Sequence, residues 1–260
     1  MTSSAIRRLQ EGPVARVVLA RPEVRNAFDD ALIAELTRAF LEFADDRTTR
    51  VVVLSGEGPT FCAGADIAWM RKAGSYSQAE NEEDAGRMAR MLRAIDECPL
   101  PVIALAHGAA IGGGVGLVAA ADIAIAVEGT VFSLAEVKLG ILPSVISPFV
   151  LRAIGARRAR DLFLTGDRFD AAEAFRIGLV HAVAGAGELE AAAKKKIDSL
   201  LTSGPEAIGA AKRLIAQVAG LSPEEAAPLT VRTIAERRAS EEAREGLGAF
   251  LQKRKPKWSA

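Results

Sequence analysis

Apolar positions along this chain alternate between two spacings. Short runs of aliphatic and β-branched residues are followed by small-residue turns, and these by stretches where apolar residues recur every three to four positions. Val14 to Ala20 (VARVVLA) ends at Arg21-Pro22 and reads as a strand. Asp29 or Asp30 then caps a helix whose Leu32, Ile33, Leu36, Phe40 and Phe43 fall at helical spacing. Val51 to Leu54 is a short buried strand, Ser55 to Pro59 a turn, and Phe61 to Ile67 a small-residue loop opening a short helix toward Met70. Lys72 to Gln78 lacks periodicity and reads as a mobile connection. Ala79 to Glu97 is a long amphipathic helix with Met88, Met91, Leu92 and Ile95 on one face, stopped by Pro99 and Pro101. Pro101 to Ala106 (PVIALA) is a buried strand, His107 to Gly116 a glycine turn, and Leu117 to Ala121 the opening of a buried helix. Strands at Ile123 to Val127 and Thr130 to Ser133, helices at Ala156 to Leu164 and Ala171 to Arg176, and a strand at Leu179 to Val183 follow. From Glu188 onward only helical patterns remain, broken at Gly204-Pro205 and Ser222-Pro223.

This order predicts an α/β core over 1–185 and a helical C-terminal region over 186–260. With 260 residues, half of them apolar, the chain can bury a large core. Lys+Arg and Asp+Glu both total 33, and this neutral balance argues against nucleic-acid and membrane-surface partners. The longest weakly polar stretch, Ala109 to Val127, holds four glycines and Asp122 and reads as a core helix, not a membrane span. The polar N-terminus carries no secretory pattern. Cys62 and Cys98 lie in unlike contexts, which points to two reduced thiols in a cytoplasmic protein and to no metal site.

Chemistry concentrates in the two small-residue loops. Each follows a buried strand and leads into a helix, where free N–H groups and the helix dipole favour an anion. Two such donors on one oxygen make an oxyanion hole, each worth about 3 kcal/mol in the transition state. Either loop alone reads as a tight turn. Gly112 to Gly116 lacks the acidic residue of a dinucleotide fingerprint and the lysine of a phosphate-binding loop.

Taken together, Phe61-Cys62-Ala63-Gly64-Ala65-Asp66-Ile67 and His107-Gly108-Ala109-Ala110-Ile111-Gly112-Gly113-Gly114 resemble the paired signature of the crotonase (enoyl-CoA hydratase/isomerase) superfamily. Arg21-Pro22 with Asn26-Ala27-Phe28, Phe132 to Gly140 with Pro143, and Glu245-Gly246 to Arg254 match further segments of it. The resemblance covers nearly the whole chain. It implies a spiral of ββα repeats with C-terminal helices that build a trimer or a dimer of trimers. It implies an acyl-CoA substrate and no tightly bound cofactor, CoA entering as part of the substrate. Carried over by residue, it implies that the Ala65 and Gly113 N–H groups hold the thioester oxygen. Arg25, Ala27, Ala63, Asp66 and Ile67 then line the CoA channel, and Phe250 and Lys253 reach its nucleotide end.

Hydratases of this superfamily carry two catalytic glutamates. Glu136 matches one; the other aligns with Gly116 and is absent. Apolar Leu134, Val137 and Leu139 around Glu136 suggest partial burial, which raises a carboxyl pKa. Glu80, Glu82, Glu83 and Asp84 read as a solvated helix face, His107 as a structural hydrogen-bonder, and Trp69, Met70 and Tyr76 as acyl-pocket or core residues. Ile67 to Met70 and Glu136 to Val150 resemble the methylglutaconyl-CoA hydratase branch, which handles methyl-branched acyl-CoAs. The function implied is hydration or dehydration at Cα=Cβ of a branched 2-enoyl-CoA. A double-bond isomerase, a decarboxylase and a non-catalytic CoA-binding scaffold are the rivals.

Overall fold

A computed structural model describes residues 4–259. β1 (Ile6–Glu11) and β2 (Val14–Leu19) form an antiparallel hairpin at the edge of a six-stranded sheet ordered β1-β2-β3-β4-β6-β9. The other members, β3 (Val51–Gly56), β4 (Val102–Ala106), β6 (Ile123–Val127) and β9 (Ala182–Ala184), run parallel to β2. A smaller sheet orders β5 (Ala109–Ile111), β7 (Val131–Ser133) and β8 (Arg168–Asp170), and single bridges pair Cys62 with Ala110 and Phe28 with Ala65. Each turn of chain thus adds one strand to the large sheet and one short strand to the small one. The fold is the α/β spiral of ββα repeats that the resemblance implied.

The helices are α1 (Asp30–Glu42), α2 (Ile67–Ala73), α3 (Gln78–Asp96), α4 (Gly113–Ala120), α5 (Ser147–Thr165) and α6 (Ala171–Arg176). They continue as α7 (Leu189–Leu201), α8 (Pro205–Val218), α9 (Pro223–Ala239) and α10 (Glu241–Leu251). Asp29, not Asp30, caps α1, its carboxylate accepting the Leu32 N–H. Ser77 and Glu80 form a reciprocal capping box on α3.

Several elements differ from the sequence reading. β1 escapes it because only Ile6 of IRRLQE is buried, so the edge strand shows no alternation. β8, three residues long, shows no pattern either. α4 starts at Gly113, four residues before Leu117, because tertiary packing overrides the low helix propensity of glycine. The strand expected at Leu179 to Val183 is Ala182–Ala184; the N–H groups of Leu179 and Val180 instead close α6 on the Ala174 carbonyl. The helix expected from Ala156 begins at Ser147 and is broken at Gly155. The connection expected over Lys72 to Gln78 shrinks to Gly74–Ser77, because α2 runs through Ala73 and α3 begins at Gln78.

The larger apolar cluster lies between the sheets and joins Phe28, Leu92, Val115, Phe132 and Ile146. The opposite face of the large sheet packs Val51, Val53, Ile103 and Leu105 against Ala193 and Ile197 of α7. α7, which the sequence reading assigns to the C-terminal region, thus packs on the central sheet. α8 is tied to the core by Lys212 Nζ, 2.7 Å from Asp122 Oδ2, which also accepts the Val102 N–H. Burial pushes the Asp122 carboxyl up, against the opposing pull of Lys212. Among the described residues no helix is long and apolar enough to cross a membrane.

Candidate active site

The site grows from the bridge between Phe28 and Ala65. The Phe28 N–H donates to Gly64 O at 2.7 Å, and the Asp66 N–H donates to Phe28 O at 2.9 Å. In such a parallel pairing successive peptide groups face opposite sides, so the intervening Ala65 N–H points away from Phe28. It donates to no acceptor among the described residues. The same is true of the Gly113 N–H, which opens α4 and lies at the positive end of its dipole.

The two donor loops are stitched together. Cys62 N–H donates to Ala109 O at 3.1 Å and Ile111 N–H to Cys62 O at 3.0 Å. A Cβ built on Gly113 would lie 2.8 Å from the Phe28 ring, so the residue that orients Ala65 also touches Gly113. The Met88 methyl of α3 crowds that same Cβ position, so α3 covers the pair.

Glu136 reaches this point from a 3₁₀ turn, Ala135–Leu139, closed by Gly140. Its carboxylate lies over Gly112: a Cβ there would sit 2.8 Å from Glu136 Oε1. Gly112 has φ 51° and ψ −115°, a conformation only glycine adopts freely, and its N–H donates to Ser133 O at 2.8 Å. The turn that presents the Gly113 N–H therefore also leaves the space that Glu136 fills. Glu136 is partly buried, as the sequence suggested, and its Oε2 is buried without a partner. Burial raises its pKa above the ordinary 4.5, with an opposing bond from its own backbone. A carboxyl in this state is suited to take up and return a proton.

Gly116, where a second glutamate would stand, lies one turn along α4. A Cβ there would run into the Ile146 γ2 methyl, 3.0 Å from Ile146 Cβ and 3.6 Å from Leu92 Cδ2. Ile146 is 2 % exposed. Hydrocarbon fills the place of the absent carboxylate.

Of the residues implied to line the CoA channel, Arg25, Ala27, Ala63, Asp66 and Ile67 fall on the two paired strips around Ala65; the Ala63 N–H donates to Arg25 O at 3.0 Å. Ile67 is 72 % exposed, whereas Ala27 is buried. The Asp66 carboxylate is already engaged, accepting the Ala68 and Trp69 N–H groups and pairing with Arg21. Phe250 is 80 % exposed. Lys253 follows α10 in a left-handed turn at φ 55°. That turn is held by Glu245, which accepts two bonds from Arg254 and one from the Lys257 N–H and has its pKa pulled down to about 2, chiefly by Arg254.

His107 Nε2 bonds Gly58 O at 3.0 Å, the structural role expected. Asp84 departs from expectation: it is buried and bonds Arg87 at 2.6 Å, so the acidic face of α3 is not wholly solvated. Trp69 packs against the core, and Cys62 and Cys98 are buried free thiols. The sequence reading missed Phe28 and Met88 around Gly113, Ile146 over Gly116, and the engagement of Arg21. Arg21, Phe28 and Ile146 carried a signal through the segments in which they sit, and Met88 as one of an apolar helix face.

A family described as enoyl-CoA hydratase/isomerase matches residues 10–260. The chain is 34 % identical to a carnitinyl-CoA dehydratase of Proteus mirabilis over 265 residues, covering 98 % of each protein. An enoyl-CoA hydratase from Shewanella pealeana shares 40 % identity and a TM-score of 0.95, over 98 % of this chain and 96 % of that one. Pseudomonas aeruginosa AtuE shares 36 % identity at the same TM-score, over 98 % of this chain and all of that one.

Proposed function

Because the chain belongs to the enoyl-CoA hydratase/isomerase family, we propose that it adds water to, or removes it from, the Cα=Cβ bond of a short 2-enoyl-CoA. One observation carries this reading. Two unspent N–H groups, Ala65 and Gly113, share Phe28 as a neighbour, with an unpartnered, partly buried carboxylate over the adjacent Gly112. In hydration, Glu136 takes a proton from water as the water oxygen bonds to Cβ. The π electrons pass to the thioester oxygen, giving an enolate held by Ala65 and Gly113. Glu136 then returns the proton to Cα. One carboxylate suffices for both transfers.

The finer substrate proposed is methyl-branched, of the 3-methylglutaconyl-CoA and 3-hydroxy-3-methylglutaryl-CoA type. Its support is the resemblance of Ile67 to Met70 and of Glu136 to Val150 to the branch that handles such acyl groups. A panel of linear and branched 2-enoyl-CoAs and 3-enoyl-CoAs tests both levels. Hydration fastest on a branched 2-enoyl-CoA is expected. Consumption of 3-enoyl-CoAs without water addition identifies an isomerase, and CoA affinity without turnover a scaffold.

Self-assembly through the C-terminal helices is part of the same reading. Val231, Leu247, Phe250 and Leu251 are each more than half exposed, apolar surface that assembly through these helices would cover. Assembly would also bring Phe250 and Lys253 to a neighbour's CoA. Sedimentation velocity is expected to give a trimer or a dimer of trimers, and a monomer at working concentration removes this part.

A further inference from the structure

We propose that Arg21 is a positioning residue for the oxyanion hole, its guanidinium joining the caps of α1 and α2 and so holding the Ala65 N–H in aim. This rests on the reading of Ala65 as an oxyanion donor. The Arg21 side chain is only 18 % exposed. Nη1 donates to Ala27 O at 2.6 Å, and Nη2 lies 2.8 Å from Asp29 Oδ2 and 3.5 Å from Asp66 Oδ2. Both carboxylates are helix caps. Asp29 Oδ1 accepts the Leu32 N–H at the start of α1, and Asp66 Oδ1 accepts the Ala68 and Trp69 N–H groups at the start of α2.

Between these caps lie Ala27 and Phe28 on one strip and Gly64 and Ala65 on the other, joined by the two backbone bonds of Phe28. Arg21 spans the pair from outside. Its own backbone is fixed by Asn26, a fully buried side chain whose Oδ1 accepts the Arg21 N–H and whose Nδ2 donates to Glu57 O and Thr60 O. Without the guanidinium, Asp29 and Asp66 would face one another with no counter-charge. Relief of that repulsion would pull on the Ala65–Asp66 peptide, whose N–H holds Phe28 O and which is joined through the Ala65 Cα to the peptide carrying the Ala65 N–H. A lysine at 21 supplies one point charge where three acceptors need a planar fork.

The test compares wild type with Arg21→Met and Arg21→Lys in three measurements: steady-state kinetics on the best enoyl-CoA, the enolate absorbance of bound acetoacetyl-CoA, and thermal stability. For Arg21→Met, kcat is expected to fall about 10- to 100-fold with KM within about threefold, the scale of a displacement near 1 Å. The enolate fraction of bound acetoacetyl-CoA is expected to fall in parallel, and Arg21→Lys to recover part of both. If Arg21→Met melts lower but keeps kcat and the enolate signal, Arg21 is merely structural and the proposal falls. If Arg21→Met does not fold, Arg21→Lys decides it: kcat and an enolate signal equal to wild type overturn the proposal. Wild type that binds acetoacetyl-CoA without forming its enolate overturns the oxyanion reading itself, and this inference with it.

Discussion

Glu136→Gln is expected to lower kcat for enoyl-CoA hydration about 10²- to 10⁴-fold, the usual contribution of a positioned proton-transfer group, with CoA-thioester binding retained. Glutamine keeps the shape that fills the space over Gly112, so the Gly112–Gly113 turn and its donor survive. Activity within a few-fold of wild type sinks the assignment. The pH profile adds an independent check. Burial raises the Glu136 pKa above 4.5, so the acid limb of kcat/KM is expected above the ordinary carboxylate range and absent from the residual activity of the variant.

Stability should move the other way. A carboxyl whose folded pKa is raised binds more protons in the native than in the unfolded state across the window between the two values. Stability therefore falls as pH rises through that window, and above it the buried charge is a standing cost. Glu136→Gln removes that cost, so the inactive variant is expected to melt higher than wild type at neutral pH. At a pH below the ordinary carboxylate value, where the glutamate is protonated in both states, the difference should shrink. A variant that is inactive and also melts markedly lower would mean that Glu136 acts through the fold instead of through a proton.

Gly116→Glu is expected to destabilise the protein by about 3 kcal/mol or more and to yield no two-carboxylate enzyme. Overfilling a packed core costs about 1–3 kcal/mol, and an unpaired carboxylate among apolar groups adds desolvation. The new Cβ would collide with Ile146 and come into contact with Leu92, both buried. Urea unfolding measures the loss. Gly116→Glu/Ile146→Gly, which vacates the colliding side chain, is expected to recover part of it. A Gly116→Glu protein with the wild-type midpoint and raised hydratase activity would show that the site has room for a second carboxylate.

Much of this site was legible from residues close together in the chain. The strand, small-residue turn and helix at Val102 to Ala120 show as a local change of period, and the resemblance of both loops to a known family's paired signature implies their donor role. Where local pattern and packing disagree, the sequence misleads. α4 begins on Gly113-Gly114, weak helix formers held helical by complete burial. β1 hides its strand character because it pairs at an exposed edge. α7 looks like the first of the appended helices, yet Ala193 and Ile197 close one face of the central sheet.

The sequence by itself determined the ββα order, the two donor loops, the candidate carboxylate Glu136 and the absence of a partner at Gly116. The two loops are written in periodicity and glycine spacing, whereas the ββα order, the role of Glu136 and the missing glutamate at Gly116 are what the resemblance of these short motifs to a known family implies. The tertiary structure alone decided that Glu136 lies over Gly112, that Ile146 closes the space beside Gly116, and that Arg21 joins the caps of two helices. Those facts rest on contacts between residues far apart in the chain: 24 positions for Gly112 and Glu136, 30 for Gly116 and Ile146, and 45 for Arg21 and Asp66. They arise when the spiral stacks one repeat on the next, because a side chain's neighbours across a packed core are set by how the layers close and not by what precedes it in the chain.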